Sequence, residues 1–461
     1  MRIVIDLQGA QTGSRFRGIG RYSLAIARAM AKCNRGHELW IVANGNLPVT
    51  AEALSRQLDG AVPPKNIKFF SVLMGVAGNQ ESHSWRRVCS ELAREDFIRR
   101  LQPDAVFISS LFEGGMDDAV LSVGRLNTHS PTTAVLYDLI PLAEPDKYLQ
   151  TTWARNWYFE KLADLKRTSL MFAISDYSKR EGHRMLGVPE EAIVNISAAC
   201  DDSFRPMQLT QAEISDLRTR YGLNGEFIFC TGAMDERKNL RRLIEAYAAL
   251  PRSLITQFQL ALAGKWSDAE TREIAHLAAL LGIAGHVVTL DHVVDDDLVM
   301  LMNAATLFVF PSLQEGFGLP PLEAMACGTA TIASNTTSLP EVIGLSEAMF
   351  DPTDAAQISA LMSRALTDVS FRQRLEAHAL EQSTRFSWSR SAGIVLDQLE
   401  KLAGARPPQR HFQAKAWPVI VGHAKRQRTE LFDAINKSTT NAQRPSTADL
   451  RDLAAALAPN D

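Results

Sequence analysis

The stretch Glu315-Gly316-Phe317-Gly318-Leu319-Pro320-Pro321-Leu322-Glu323 puts a carboxylate at each end of a run of glycine, proline and apolar residues. Carboxylates beside apolar chain cost free energy unless something pairs with them, so two of them bracketing one turn point to a ligand carrying hydroxyls or positive charge. Leu307-Phe308-Val309-Phe310 before the turn reads as a buried strand, and Ala324-Met325-Ala326 after it reads as a helix. Pro320 and Pro321 suit a helix start, where a missing N–H has no helical partner anyway, and this predicts Glu323 in the first turn. A helix dipole accounts for one such acid, but not for Glu315 and the glycines.

Two basic stretches could meet an anion. Arg237-Lys238 lie between a strand-like run, Phe227 to Cys230, and a helix from Leu240. A planar guanidinium fork beside a compact ammonium suits a diphosphate, although the same pair also fits a solvated helix end. Near the N-terminus, Gly9 to Tyr22 joins a strand to a helix whose apolar face includes Tyr22, Ile26 and Met30. Gly18 and Gly20 let backbone approach a ligand, and Arg15, Arg17 and Arg21 favour an anionic one. This is not the dinucleotide fingerprint, because a third glycine at the required spacing is lacking. Asp295-Asp296-Asp297 could suggest a cation site, but it precedes Leu298-Val299-Met300 and fits a helix N-terminus. No metal is expected.

The elements that must position these residues alternate. Ile3–Ile5, Leu39–Val42, Ala105–Ile108, Ala134–Leu136 and Met171–Ile174 are strand-like runs separated by helical patterns. Phe227–Cys230, Leu260–Ala263, Val287–Leu290, Leu307–Phe310 and Thr331–Ala333 repeat the scheme. Such alternation means parallel sheets covered on both faces, and two series imply two Rossmann-like, doubly wound α/β domains facing a cleft. The boundary is expected near Phe204-Arg205-Pro206, giving domains 1–205 and 206–386. Asp354 is a candidate N-cap for a helix from Ala355. Val395, Leu399 and Leu402 form one apolar stripe of a terminal helix, 387–405, expected to pack back on the first domain. Residues 406–461 read as a tail with little core of its own.

A chain of 461 residues suits two cores, and 46% hydrophobic with 22% charged residues is ordinary globular composition. The net charge of -3 gives no general attraction to nucleic acid, and none is expected as a partner. Five scattered cysteines lack the spacing of a zinc site or a disulfide framework, and neither a secretory signal nor an 18-residue apolar span is legible. A cytoplasmic protein is expected.

With Phe310 to Gly328 the chain resembles the retaining nucleotide-sugar glycosyltransferases of family 4, which have the two-domain GT-B fold. The resemblance runs from Ile3 to about Leu402, and its Glu-x7-Glu block is highly specific. The segments Asp6 to Tyr22 and Asp138-Leu139-Ile140-Pro141 are similar to the branch that builds bacterial O-antigen polymannose and related chains. The resemblance implies that Glu323 binds the donor ribose and that Glu315, with the N–H groups of Gly316, Phe317, Gly318 and Leu319, holds the transferred sugar. It implies Arg237 and Lys238 on the diphosphate, Gly18 and Gly20 closing over it, and Asp138 among the catalytic groups. Two departures stand out. Ala233 replaces a frequent Arg, so Arg237 must supply that charge; Tyr137 replaces a frequent His, which leaves open the group beside the anomeric carbon.

The expected activity is transfer of a hexose, mannose favoured, to a glycan hydroxyl in surface-polysaccharide synthesis, with no cofactor beyond the nucleotide-sugar co-substrate. An epimerase on the same fold and an inactive donor-binding scaffold are the alternatives. Asp291 follows a strand near where the family holds the nucleobase; a carboxylate there can accept from guanine N1–H and N2–H₂, which favours GDP-mannose. A lipid-linked saccharide acceptor would lie at the membrane, and Trp417 with Lys425 to Arg428 is a candidate for peripheral membrane or partner docking through the tail.

Overall fold

The computed structural model describes residues 1–80, 84–127 and 129–405. They form two compact units.

The first unit holds a seven-stranded sheet: β1 (Arg2–Asp6), β2 (Glu38–Asn44), β3 (Ile67–Phe70), β4 (Ala105–Ile108), β5 (Thr132–Leu136), β6 (Leu170–Ala173) and β7 (Ile193–Asn195). All neighbours pair in parallel, in the order β3-β2-β1-β4-β5-β6-β7. Ile3, Val4 and Ile5 are fully buried, as a strand covered on both faces requires. Strand order reverses between β1 and β4, so the loops leaving these strands diverge and open a crevice at their carboxyl ends.

The loop after β1 is two short 3-10 turns, Gln8–Ala10 and Gly13–Phe16, and helix α1 (Gly18–Lys32) begins at Gly18. Gly18 and Gly20 therefore belong to the first turn of α1. A Cβ at Gly20 would stand 2.4 Å from Arg15 Cα and 2.5 Å from the Ser14 carbonyl oxygen. Backbone must touch backbone here. Gly20→Ala is expected to lower unfolding stability by about 1–3 kcal/mol, through overpacking. Denaturant unfolding reads this directly, and an unchanged midpoint would mean that the turn can shift aside.

Tyr22, Ile26 and Met30 are buried on α1 as the periodicity predicts. Beneath the β1 loop, Arg94 Nε donates to the buried Asp6 carboxylate at 2.7 Å, and Gln8 spans from Asp6 to the Val120 carbonyl. Helix α2 (Trp388–Gly404) packs on α1 within this unit. Trp388 meets Tyr22 edge-on at 5.0 Å, Val395 and Leu399 are buried, and Arg35 bonds Asp397 at 2.5 Å.

The second unit holds β8 (Glu226–Thr231), β9 (Phe258–Gly264), β10 (Val287–Asp291), β11 (Leu307–Phe310), β12 (Thr331–Ser334) and β13 (Met349–Phe350). They are parallel in the order β10-β9-β8-β11-β12-β13, so the reversal falls between β8 and β11. Phe227, Phe229, Phe308 and Phe310 fill the core beneath it.

Most expected strands are present within a residue or two; β3, β7 and β13 are additional. The division between units falls at Ser197, ahead of the boundary expected near Arg205, and Ser175–Ser178 also belong to the second unit. The helix after it, Gln211–Arg220, opens on a capping box of Thr210 and Glu213. Asp354 caps Ala355–Thr367 by accepting from the N–H groups of Ala356 and Gln357. The tail residues Trp417 and Lys425 to Arg428 lie outside the described residues.

Candidate active site

In the second unit the chain leaving β8 and the chain leaving β11 emerge side by side, since Phe229 pairs with Phe308. The first makes a short turn, Glu236–Lys238, capped by Asp235, whose carboxylate accepts from Arg237 N–H at 3.0 Å. Asn239 then takes a left-handed conformation at φ 57°, which swings the chain into the Leu240–Ala248 helix. Its side-chain amide donates to the Pro311 carbonyl at 3.1 Å and the Pro352 carbonyl at 2.8 Å. Leu313 N–H adds a bond of 2.7 Å to the Arg237 carbonyl. The two loops are thus clipped together through backbone.

That clip brings Arg237, Lys238 and Glu315 into one cluster. Lys238 Nζ lies 2.6 Å from Glu315 Oε1 and 5.2 Å from the centre of the Phe310 ring; Arg237 Nη1 lies 3.3 Å from Glu315 Oε2. Asp235 holds Arg237 Nε from the other side at 3.4 Å. Glu315 is only 9% exposed, and both of its carboxylate oxygens are paired with these two cations.

Serines organise the glycine turn. Ser175 and Ser178 hydroxyls donate to the Gly316 carbonyl at 2.6 and 3.1 Å, and Ser338 donates to the carbonyls of Glu315 and Phe317 at 2.9 and 2.6 Å. With the carbonyls engaged, no acceptor among the described residues bonds the N–H groups of Gly316, Phe317, Gly318 or Leu319. Gly318 sits at φ 120°, and a Cβ there would stand 2.8 Å from Leu339. Only glycine fits. The result is a row of amide donors beside two cations, a setting built for an oxyanion.

Glu323 is placed differently from the expectation. The helix starts at Leu319 with Gly318 as N-cap, so Glu323 is its fifth residue and lies beyond the first turn. Both prolines fall inside the helix start, which carries the acid one step further along. Glu323 is 3% exposed, and its charge is felt by two thiols. Burial and then Glu323 push the Cys200 thiol up to about 12; burial, Cys200 and Glu323 do the same for Cys327. Asp291 is not gathered into the cluster: it ends the edge strand β10, two strands from β8, and faces His292 at 3.2 Å on the surface. The acidic triplet opens the Asp295–Ala304 helix as expected, and Asp297 is held by Arg220 and by Tyr221 Oη, which with burial opposing keep its carboxyl below the ordinary range.

In the first unit, Gly18 and Gly20 follow β1 and Asp138 follows β5. Asp138 Oδ1 accepts from Ile140 N–H at 3.1 Å and so turns the chain into the next helix. Tyr137, the departure from the family pattern, donates to the Ser109 carbonyl at 2.9 Å and also reaches the Ile19 carbonyl at 3.4 Å. Burial first, and then the Glu113 charge, raise its phenol far above the usual value, so it remains a neutral strut.

Sequence reasoning passed over Asn239, Ser175, Ser178, Ser338 and Glu113. The pattern Ser175-Asp176-Tyr177-Ser178 is distant in sequence from the turn it supports. Nothing in its composition marks it.

Two doubly wound parallel units, each with a strand-order reversal, are the architecture of the GT-B fold. Solved structures agree on the fold: HepE of Anabaena in complex with UDP and glucose superimposes with a TM-score of 0.63 at 18% identity, covering 87% of this chain and 100% of that one. WaaG, a glycosyltransferase involved in lipopolysaccharide biosynthesis, gives 0.61 at 16% identity, over 87% of this chain and 99% of that one. The profile of Glycosyltransferase Family 4 matches residues 16–204, and that of Glycosyl transferases group 1 matches 216–382. This chain belongs to glycosyltransferase family 4. It is 37% identical over 404 residues to the serotype-specific mannosyltransferase WbdA of Escherichia coli, covering 87% of this chain and 48% of that protein. The O-antigen chain mannosyltransferase B of Escherichia coli is 36% identical over 236 residues, 50% of this chain and 61% of that protein. The chain thus spans about half the length of the first of these relatives.

Proposed function

We propose that this chain transfers a hexose, with mannose favoured, from a nucleoside diphosphate sugar to a glycan hydroxyl, with retention, in the synthesis of a bacterial O-antigen-type polysaccharide. The observation that carries this reading is the cluster of Arg237, Lys238 and Glu315 beside the engaged carbonyls and open amides of residues 316 to 319. In this reading Arg237 and Lys238 hold the diphosphate, Glu315 and the amides hold the transferred sugar, and Glu323 holds the ribose. In the same reading Gly18 and Gly20 bind the donor and Asp138 is among the catalytic groups. The bond from the anomeric carbon to the diphosphate breaks, the acceptor oxygen bonds that carbon on the same face, and the acceptor proton leaves with the diphosphate oxygen. No enzymic nucleophile and no metal enter this scheme; charge stabilisation lowers the barrier. The names of the relatives favour mannose and O-antigen chains.

GDP is the favoured nucleotide, because Asp291 at the end of β10 can pair with guanine. Asp291→Asn is expected to erase a preference for GDP over UDP in calorimetric titration. A preference that survives would remove the basis for guanine. The reaction itself is tested by incubating purified protein with GDP-mannose, dTDP-rhamnose or UDP-glucose and a manno-oligosaccharide. Chain extension by mannose is the expected result. Release of nucleoside diphosphate only from UDP-glucose would overturn the mannose assignment, and release from none would overturn the transferase reading.

A further inference from the structure

One buried acid stands at the strand-order reversal of the first unit and has no part in the scheme above. Glu113 follows β4, is 6% exposed, and receives three hydroxyls. Thr12 Oγ1 donates to Oε2 at 2.8 Å, Ser14 Oγ to the same oxygen at 3.0 Å, and Ser110 Oγ to Oε1 at 2.8 Å. Thr12 and Ser14 belong to the loop after β1, so Glu113 joins the two loops that diverge at the reversal. The Gly13–Phe16 turn they shape is the surface against which Gly20 is pressed without room for a Cβ. Any shift of Ser14 or Arg15 is therefore passed on to the start of α1.

We propose that Glu113 is a positioning residue for glycosyl transfer: by accepting from Thr12 and Ser14 it sets the turn that seats Gly18 to Gly20, and so fixes the backbone at the first turn of α1, to which the proposed function assigns donor binding. This rests on the transferase reading given above. The carboxylate accepts from all three hydroxyls with no proton of its own to place; protonation adds an O–H donor and weakens the oxygen that carries it as an acceptor, which disturbs the arrangement. Burial pushes this carboxyl up to about 7, opposed by the bonds from Ser110, Thr12 and Ser14 and reinforced by Asp117. Asp117 and Tyr137 are the titratable groups whose charges couple to it. The folded value thus lies above the ordinary 4.5. The stability contributed by this group is complete below that ordinary value and is lost as pH rises through about 7, whereas the three-hydroxyl arrangement is complete only above it. Loop order and global stability accordingly respond to pH in opposite directions.

The test is Glu113→Gln, which keeps the shape but cannot titrate, with Ser14→Ala as a partner that leaves the buried acid in place. For the wild type, kcat/KM is expected to fall as pH drops below about 7; in Glu113→Gln this limb should vanish, and the rate at pH 8 should be about 10- to 100-fold lower, the cost of misplaced backbone. Amide exchange of residues 12 to 20 should quicken in both variants while exchange in β8 and β11 is unchanged. Unaltered exchange in 12 to 20 together with an unaltered pH limb would overturn the proposal. If Glu113→Gln fails to fold, Ser14→Ala decides alone: unchanged exchange and unchanged kcat/KM refute the proposal. The exchange measurement needs no substrate, so a wild type without transferase activity would defeat the functional reading separately.

Discussion

Lys238→Met should lower turnover by about 100-fold or more while changing donor affinity far less. Negative charge gathers on the diphosphate as its bond to the sugar breaks, so an ammonium beside it is worth more in the transition state than in the bound donor. Met keeps the length and the contact with Phe310, over which Lys238 Nζ sits at 5.2 Å, so the fold should persist. Arg237 is held by Asp235 at 3.4 Å on one side and by Glu315 at 3.3 Å on the other, and so keeps its own position. Steady-state kinetics on the donor, together with calorimetric titration of the nucleoside diphosphate, would check this. Equal losses in affinity and none in turnover would remove Lys238 from the reacting centre.

Glu315→Gln should have a comparable effect on turnover, about 100-fold or more, but an opposite effect on binding of the product nucleotide. Glu315 holds Lys238 at 2.6 Å and Arg237 at 3.3 Å, and an arriving diphosphate has to compete for both cations. Gln is isosteric and removes the competing charge, so nucleoside diphosphate should bind more tightly while sugar transfer fails. Tighter binding combined with slower turnover is a signature that simple damage to the site cannot produce. If the variant binds nucleotide more weakly and turns over normally, Glu315 does not touch the sugar.

The expectations that succeeded rested on local signals. Leu307–Phe310 and Ala105–Ile108 are strands because continuous β-branched and aromatic runs bury both faces of a parallel sheet. The strands that escaped notice are short or peripheral: β3 carries Lys68, β7 has three residues at one sheet edge, and β13 has two at another. At such places a strand is defined by the neighbour it pairs with, and its own composition says little. The misplaced turn of Glu323 has a similar origin. Two adjacent prolines announce a helix start, but whether it begins one residue earlier depends on Gly318 reaching φ 120° against Leu339.

By itself the sequence determined the fold class, the family, and the chemical types at the turn from Glu315 to Glu323, because hydrophobic periodicity and a dense local motif are properties of neighbouring residues. Tertiary structure decided which charges meet. Lys238 and Glu315 are far apart along the chain, and they share an ion pair because β8 and β11 are adjacent where strand order reverses, with Asn239 clipping their loops together. It also showed that Asp291 ends an edge strand away from that cluster, that Tyr137 is a partly buried strut, and that Glu113 gathers three hydroxyls from two loops. A hydrogen bond or an ion pair forms only when the fold brings two groups within about 3 Å at the right angle, and no residue carries that information in its type alone.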